Sequence, residues 1–201
     1  MKNIISISTG LVYKFYDDQS SRIQRMRSLN PDGIEICIAD SEYVLSFNPT
    51  NELVQYLKSL KRITIHAPWI GIQYSNNPLC SKVLKKIEEL YQLLWAEFVV
   101  VHSNWTDNYD IFRNYNFRVL LENEDYKFRQ GITPDQIGRI LDINPDIGFN
   151  FDFAHALTIW PDTVKEFIDR FGKQIAQVHM SNLTQWLKDY NGPENLDKKS
   201  N

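Results

Sequence analysis

Apolar residues recur along this chain in short runs separated by longer stretches of helical periodicity. Seven runs rich in β-branched residues, at 4–9, 33–39, 62–67, 97–102, 117–122, 146–152 and 174–180, read as strands. Most are continuous rather than alternating, as expected of strands covered on both faces. Between them, segment 17–29 places Ile23, Met26 and Leu29 on one side, segment 50–60 gathers Leu53, Val54, Leu57 and Leu60, and segment 81–95 carries a long stripe through Val83, Leu84, Ile87, Leu90, Tyr91 and Leu94. Segments 134–141 and 161–171 each begin with Pro at an early helical position, and Thr133 is a plausible N-cap for the first of them. Segments 107–115 and 183–190 are weaker helical patterns, and 191–201 is polar throughout.

Repeated strand–helix–strand units of this length imply parallel strands joined by right-handed crossovers. The choice lies between a doubly wound open sheet and a barrel. No Gly-rich phosphate loop follows the first strand, so the nucleotide-binding form of the open sheet has no support. A full eight-fold barrel takes about 250 residues. The expectation is therefore an α/β fold, a (β/α) TIM-type barrel that is incomplete: seven strands, no candidate for an eighth, one domain over 1–190 and a polar tail over 191–201.

Charge and cysteine narrow the function. The net charge of −3 lacks the basic excess typical of proteins that grip a nucleic-acid backbone, although a local basic patch could escape that count. The denser basic stretches at 22–27 and 82–86 fall on expected helices and are most simply solvated faces. Cys37 and Cys80 follow no metal or disulfide spacing, and Cys37 reads as a small core residue. No apolar run reaches membrane-spanning length, and the N-terminal residues lead into a strand without a signal-like segment, so a cytoplasmic protein is expected.

The candidate chemistry sits at the strand ends. All four histidines are there: His66, His102 and His179 close strand runs, and His155 lies three residues beyond one. Glu122 and Asp152 close two further apolar runs, and Glu35 lies inside the second. A carboxylate at the end of an apolar strand is costly to bury unless paired or bound to a cation. In βα folds this edge is where function gathers. His, Glu and Asp converging there form a coherent donor set for Zn²⁺ or Mn²⁺. The plainer alternative is a row of hydrogen-bonded polar residues at a core edge. Trp69, Trp105, Trp160 and Trp186 follow these strands, where aromatic faces suit sugar rings or bases, or simply cap the core.

The segments Gly33-Ile34-Glu35-Ile36, Ile65-His66-Ala67-Pro68-Trp69, Val100-Val101-His102-Ser103, Leu121-Glu122-Asn123, Asp152-Phe153-Ala154-His155-Ala156 and Val178-His179-Met180-Ser181-Asn182, in this order and spacing, resemble the xylose-isomerase-like barrel superfamily. It contains metal-dependent sugar and sugar phosphate isomerases and epimerases, and the endonuclease IV type of DNA-repair phosphodiesterase (AP endonuclease family 2). The resemblance implies that His66, His102 and Glu122 match a zinc site of the nuclease type, and that Glu122, Asp152 and His179 match three of four ligands of a metal common to both branches. His155 matches a histidine that contacts substrate in the epimerases, making Glu122 and His155 the candidate catalytic pair. Glu35, Trp69, Trp105 and Asn182 are the candidate substrate contacts. Three features depart from the pattern: no eighth-strand Glu is found for the fourth ligand position, the Asp-x-His pair that completes a third zinc in the nuclease type is absent, and Asn182 stands where Asp is common.

Three functions follow as expectations. The first is a divalent-metal-dependent isomerase or epimerase of a small sugar-like substrate. The second is a zinc phosphodiesterase acting on abasic DNA. The third is a non-catalytic binding or assembly module, in which a homo-oligomer would cover the open barrel edge.

Overall fold

In the computed structural model, which describes residues 3–181, each apolar run contains a strand: β1 (Ser6–Ser8), β2 (Gly33–Cys37), β3 (Arg62–His66), β4 (Phe98–His102), β5 (Val119–Glu122), β6 (Gly148–Asp152) and β7 (Ile175–His179). The helices are α1 (Gln19–Arg27), α2 (Ser41–Ser46), α3 (Asn51–Lys58), α4 (Pro78–Leu94), α5 (Pro134–Ile143), α6 (Phe153–Ile159) and α7 (Pro161–Phe171). Segment 107–115 holds a 3-10 helix, Tyr109–Asn114, rather than an α-helix. The short helices α2 and α6 have no counterpart in the periodicity, because six or seven residues span fewer than two turns. Side-chain caps start both: Asp40 accepts from the N–H groups of Glu42 and Tyr43, and Asp152 accepts from that of His155. The weak pattern at 183–190 lies outside the described residues.

The chain divides into two compact units, Met1–Leu120 and Leu121–Asn201. In the first, β1 to β4 are parallel neighbours in chain order, with Ser8 opposite Glu35, Glu35 opposite Thr64 and Cys37 opposite His66. A doubly wound sheet reverses direction beside its first strand, whereas this succession does not, so the winding is that of a barrel. The strands run tightly at Gly33, where an added Cβ would lie 2.4 Å from Ser6 Oγ and 2.6 Å from the Arg62 carbonyl oxygen. Helix α4 starts at Asn77, whose side chain accepts from the Cys80 N–H, and stops at Trp95 in the left-handed region (φ 57). Between these stops Cys80, Val83, Leu84, Ile87, Leu90 and Leu94 are all buried on one stripe. Each large aliphatic among them stabilises the fold by about 1.5–3 kcal/mol before ordering costs. Cys37, expected in the core, is only half-buried, because β2 ends there and its side chain reaches the turn at Gly10.

In the second unit, β6 and β7 are parallel, pairing Asn150 with Gln177 and Asp152 with His179. Phe149 and Phe151 face one way, onto Phe167 and Phe171 of α7, with ring centroids 5.2–5.8 Å apart across the helix–strand contacts. Strand alternation then sends Asn150 and Asp152 to the opposite face. β7 departs from the expected continuous burial: Ala176 and Val178 are exposed, while Gln177 and His179 on the other face are partly covered. No described helix is long and apolar enough to cross a membrane.

Candidate metal centre

Within the first unit, His66 and His102 close the adjacent strands β3 and β4, with ring centroids 5.0 Å apart. Trp69 lies edge-on to both, at 5.0 and 5.3 Å. His66 Nδ1 is 3.1 Å from the Ala67 carbonyl oxygen. A carbonyl only accepts, so Nδ1 carries the proton and Nε2 is the nitrogen with the lone pair. The loop carrying Trp69 is fixed by Tyr74, a fully buried residue whose hydroxyl donates to the Pro68 carbonyl (2.8 Å) and whose N–H donates to the Trp105 carbonyl (2.7 Å). Burial pushes the Tyr74 hydroxyl pKa well up, so it remains a donor at any working pH. Glu35 lies on β2 and is buried, with its Oε2 accepting from the Thr64 hydroxyl at 3.4 Å. Trp105 is half-buried in the 3-10 turn Ser103–Trp105 after β4.

Within the second unit, Glu122, Asp152 and His179 close β5, β6 and β7. One ligand atom from each lies within 4.8 Å of the other two. Glu122 Oε2 is 3.0 Å from His179 Nδ1, and Asp152 Oδ2 is 4.0 Å from it. Glu122 and Asp152 are 1% and 7% exposed, so two carboxylates share a nearly dry site. Burial raises the Asp152 carboxyl above the ordinary range; positive charge on His155 opposes the rise and the charge of Glu122 adds to it. One imidazole nitrogen and two carboxylate oxygens are a donor set that Zn²⁺ and Mn²⁺ both accept, and a cation there would offset the like-charge repulsion. The residues fit the group.

Asp152 is placed by its neighbours. Its Oδ1 accepts from the His155 N–H (2.8 Å), which turns Oδ2 toward Glu122 and His179. Its backbone is gripped by Asn123, a fully buried side chain: Oδ1 accepts from the Asp152 N–H at 2.7 Å and Nδ2 donates to the Asp152 carbonyl at 2.9 Å. His155 Nδ1 lies 2.8 Å from the Asn123 carbonyl oxygen, so Nδ1–H donates and Nε2 keeps its lone pair. Its ring stands 3.5 Å from Glu122 Oε1.

One layer deeper on the same face, two amides contact the His179 ring. Asn150 Nδ2 is 3.1 Å from Nδ1 and Gln177 Nε2 is 2.8 Å from Nε2. The position of Asn150 was legible as a polar residue between Phe149 and Phe151 in an apolar strand. Its partners were not, nor were those of Asn123 and Gln177. Asn182 lies outside the described residues.

Solved structures share this architecture at low identity. Endonuclease IV from Thermus thermophilus has a TM-score of 0.60 and 15% identity, over 87% of this chain and 74% of its own. The probable 3-DHS dehydratase of Bacillus anthracis has a TM-score of 0.70 and 16% identity, over 96% and 79%. D-psicose 3-epimerase from Clostridium cellulolyticum has a TM-score of 0.57 and 13% identity, over 88% and 72%. At these identities the likeness shows the fold alone. No curated protein matches the sequence. The family model described as xylose isomerase-like TIM barrel matches residues 16–191, most of the chain. By that match, and with the parallel strands β1 to β4 wound in chain order, the chain belongs to the xylose isomerase-like TIM barrel family.

Proposed function

We propose that this protein is a divalent-cation-dependent isomerase or epimerase of a small sugar or sugar phosphate. The observation that carries the reading is the convergence of Glu122, Asp152 and His179, with His155 beside them. A cation held by that triad would polarise neighbouring carbonyl and hydroxyl oxygens and acidify the adjacent C–H. His155 Nε2, its lone pair set by the Nδ1–H bond to Asn123, accepts a substrate hydroxyl and orients it. Glu122 Oε1, on the side facing His155, takes a proton from the carbon beside the carbonyl, the electron pair passing to the carbonyl oxygen, and returns it to the neighbouring carbon as the hydroxyl proton moves between the two oxygens; epimerisation would need a second acid, a water or a substrate hydroxyl, on the other face.

The test is metal analysis of the purified protein followed by incubation with aldoses, ketoses and their phosphates in D₂O with Mn²⁺ or Zn²⁺. Deuterium appearing next to the sugar carbonyl, lost in Glu122→Gln, is expected. Bound metal without exchange or product across the panel overturns the reading.

A second reading, an endonuclease IV-type zinc phosphodiesterase, draws support from the His66–His102 pair braced by Trp69. It predicts that zinc-loaded protein nicks an abasic-site duplex and that His102→Ala does not. Intact duplex with wild-type protein and zinc ends it.

A further inference from the structure

We infer that Asn150 is itself a ligand of the cation held by Glu122, Asp152 and His179, through its side-chain oxygen, and that it biases the site toward a six-coordinate cation of the Mn²⁺ or Mg²⁺ kind. This rests on the reading of the triad as a cation site and adds a donor to it.

Three distances lead there. Asn150 Nδ2 is 2.8 Å from Glu122 Oε2 and 3.1 Å from His179 Nδ1, and those two atoms are 3.0 Å apart. Donors bonded at about 2.1 Å lie about 3.0 Å apart at neighbouring corners of an octahedron and about 3.4 Å apart in a tetrahedron. These spacings are hydrogen-bond lengths, and they also match neighbouring corners of an octahedron better than those of a tetrahedron, so the amide terminus of Asn150 stands where a third donor beside Glu122 and His179 would sit.

The hydrogen bonding around His179 requires one of two amides to turn, and the unpaired oxygen of Asn150 singles out that one when a cation is bound. A neutral imidazole has one acceptor nitrogen, yet amide nitrogens of both Asn150 and Gln177 face the His179 ring. Both contacts cannot be N–H donations to that ring. Asn150 is fully buried, and its Oδ1 has no hydrogen-bond partner among the described residues. A buried amide oxygen without a partner costs about 1–3 kcal/mol. Turning the amide about its last torsion would carry both N–H groups to the place Oδ1 leaves and exchange the Nδ2–H bonds to Glu122 and His179 for a bond from Oδ1 to a cation, which alone would keep that oxygen beside the Glu122 carboxylate. His179 Nδ1 then gives its lone pair to the cation and Nε2 carries the proton, which the oxygen of Gln177, turned likewise, accepts. Amide oxygens are ordinary ligands of hard divalent cations and are foreign to structural zinc sites built from thiolate and imidazole.

The experiment titrates Mn²⁺ and Zn²⁺ into the metal-stripped full-length protein by calorimetry and records the visible spectrum of its Co²⁺ form, for wild type, Asn150→Ala, Asn150→Asp and Glu122→Gln. The inference expects Asn150→Ala to weaken Mn²⁺ by about tenfold or more, and Zn²⁺ by less, with stronger Co²⁺ bands as coordination number falls. Asn150→Asp, which keeps an oxygen at the corner, is expected to bind Mn²⁺ at least as tightly as wild type and to keep the weak six-coordinate bands. If Asn150→Ala does not fold, a tetrahedral-type Co²⁺ spectrum in wild type, or weaker Mn²⁺ binding in Asn150→Asp, overturns the inference. Wild-type Mn²⁺ affinity retained in Asn150→Ala but lost in Glu122→Gln overturns this inference alone. No binding of any cation by wild type overturns the proposed function as well.

Discussion

Asn123→Ala is the substitution whose cost the structure defines most directly. The side chain donates to one backbone group of Asp152 and accepts from the other, at 2.9 and 2.7 Å, and it is fully buried. Removing it leaves the Asp152 N–H unpaired where β6 turns into α6, while the Asp152 carbonyl, at the N-cap, keeps its bond within the helix. For one orphaned buried group the loss lies between about 1 and 3 kcal/mol. A water entering the vacated space re-pairs it in part, which places the expectation near about 2 kcal/mol. With a urea slope of about 2–3 kcal/mol per molar, the midpoint falls by about 0.7–1 M. The assay is urea unfolding followed by circular dichroism and tryptophan fluorescence together, so that separate unfolding of the two units shows as non-coincident curves. A companion titration of Mn²⁺ is expected to weaken about tenfold, because Asp152 loses the grip that aims it. A midpoint shift below about 0.3 M, with unchanged metal affinity, refutes the assignment of Asn123 as the clamp on Asp152.

Three further outcomes are expected. Phe167→Ala removes a fully buried ring stacked among Phe149, Phe151 and Phe171 and should cost about 3–5 kcal/mol in urea unfolding, with less than about 1 kcal/mol refuting the packing account. Gly138→Ala in α5 gains about 1 kcal/mol of helix propensity but displaces the flexible guanidinium of Arg170, whose exposed pairing with Asp135 is worth at most about 1 kcal/mol; a Tm equal to or above wild type is expected, and a fall of several degrees counts against it. Asp18 caps α1 by accepting from the Ser21 N–H, and hydrogen bonding from the Ser21 hydroxyl, then from that N–H, holds its carboxyl below the usual 3.8. A depressed carboxylate stabilises the fold above the unfolded pKa and ceases to as pH falls through the folded one. Asp18→Ala should therefore cost about 1 kcal/mol at pH 7 and progressively less as pH falls below 3.8, and a pH-independent difference would falsify the cap assignment.

The sequence by itself determined the strands, the long helices and the edge on which the chemistry gathers. The continuous run Val99-Val100-Val101 needs cover on both faces and so belongs to a parallel sheet. The stripe from Val83 to Leu94 allows one helical face. Four histidines and two carboxylates at strand ends place the polar chemistry at one end of each strand. These signals are local: period, capping and burial cost are properties of neighbouring residues. The family resemblance already groups Glu122, Asp152 and His179, but only tertiary structure decided how near their lone pairs come. Glu122, Asp152 and His179 come within ligand distance because β5, β6 and β7 end at matching heights, a consequence of register that no single strand encodes. Asn150 touches Glu122 and His179 for the same reason, across gaps of 28 and 29 residues. Asn123 finds Asp152 only once both strand ends exist. Buried amides draw their roles from partners in other strands, so spacing along the chain is silent about them.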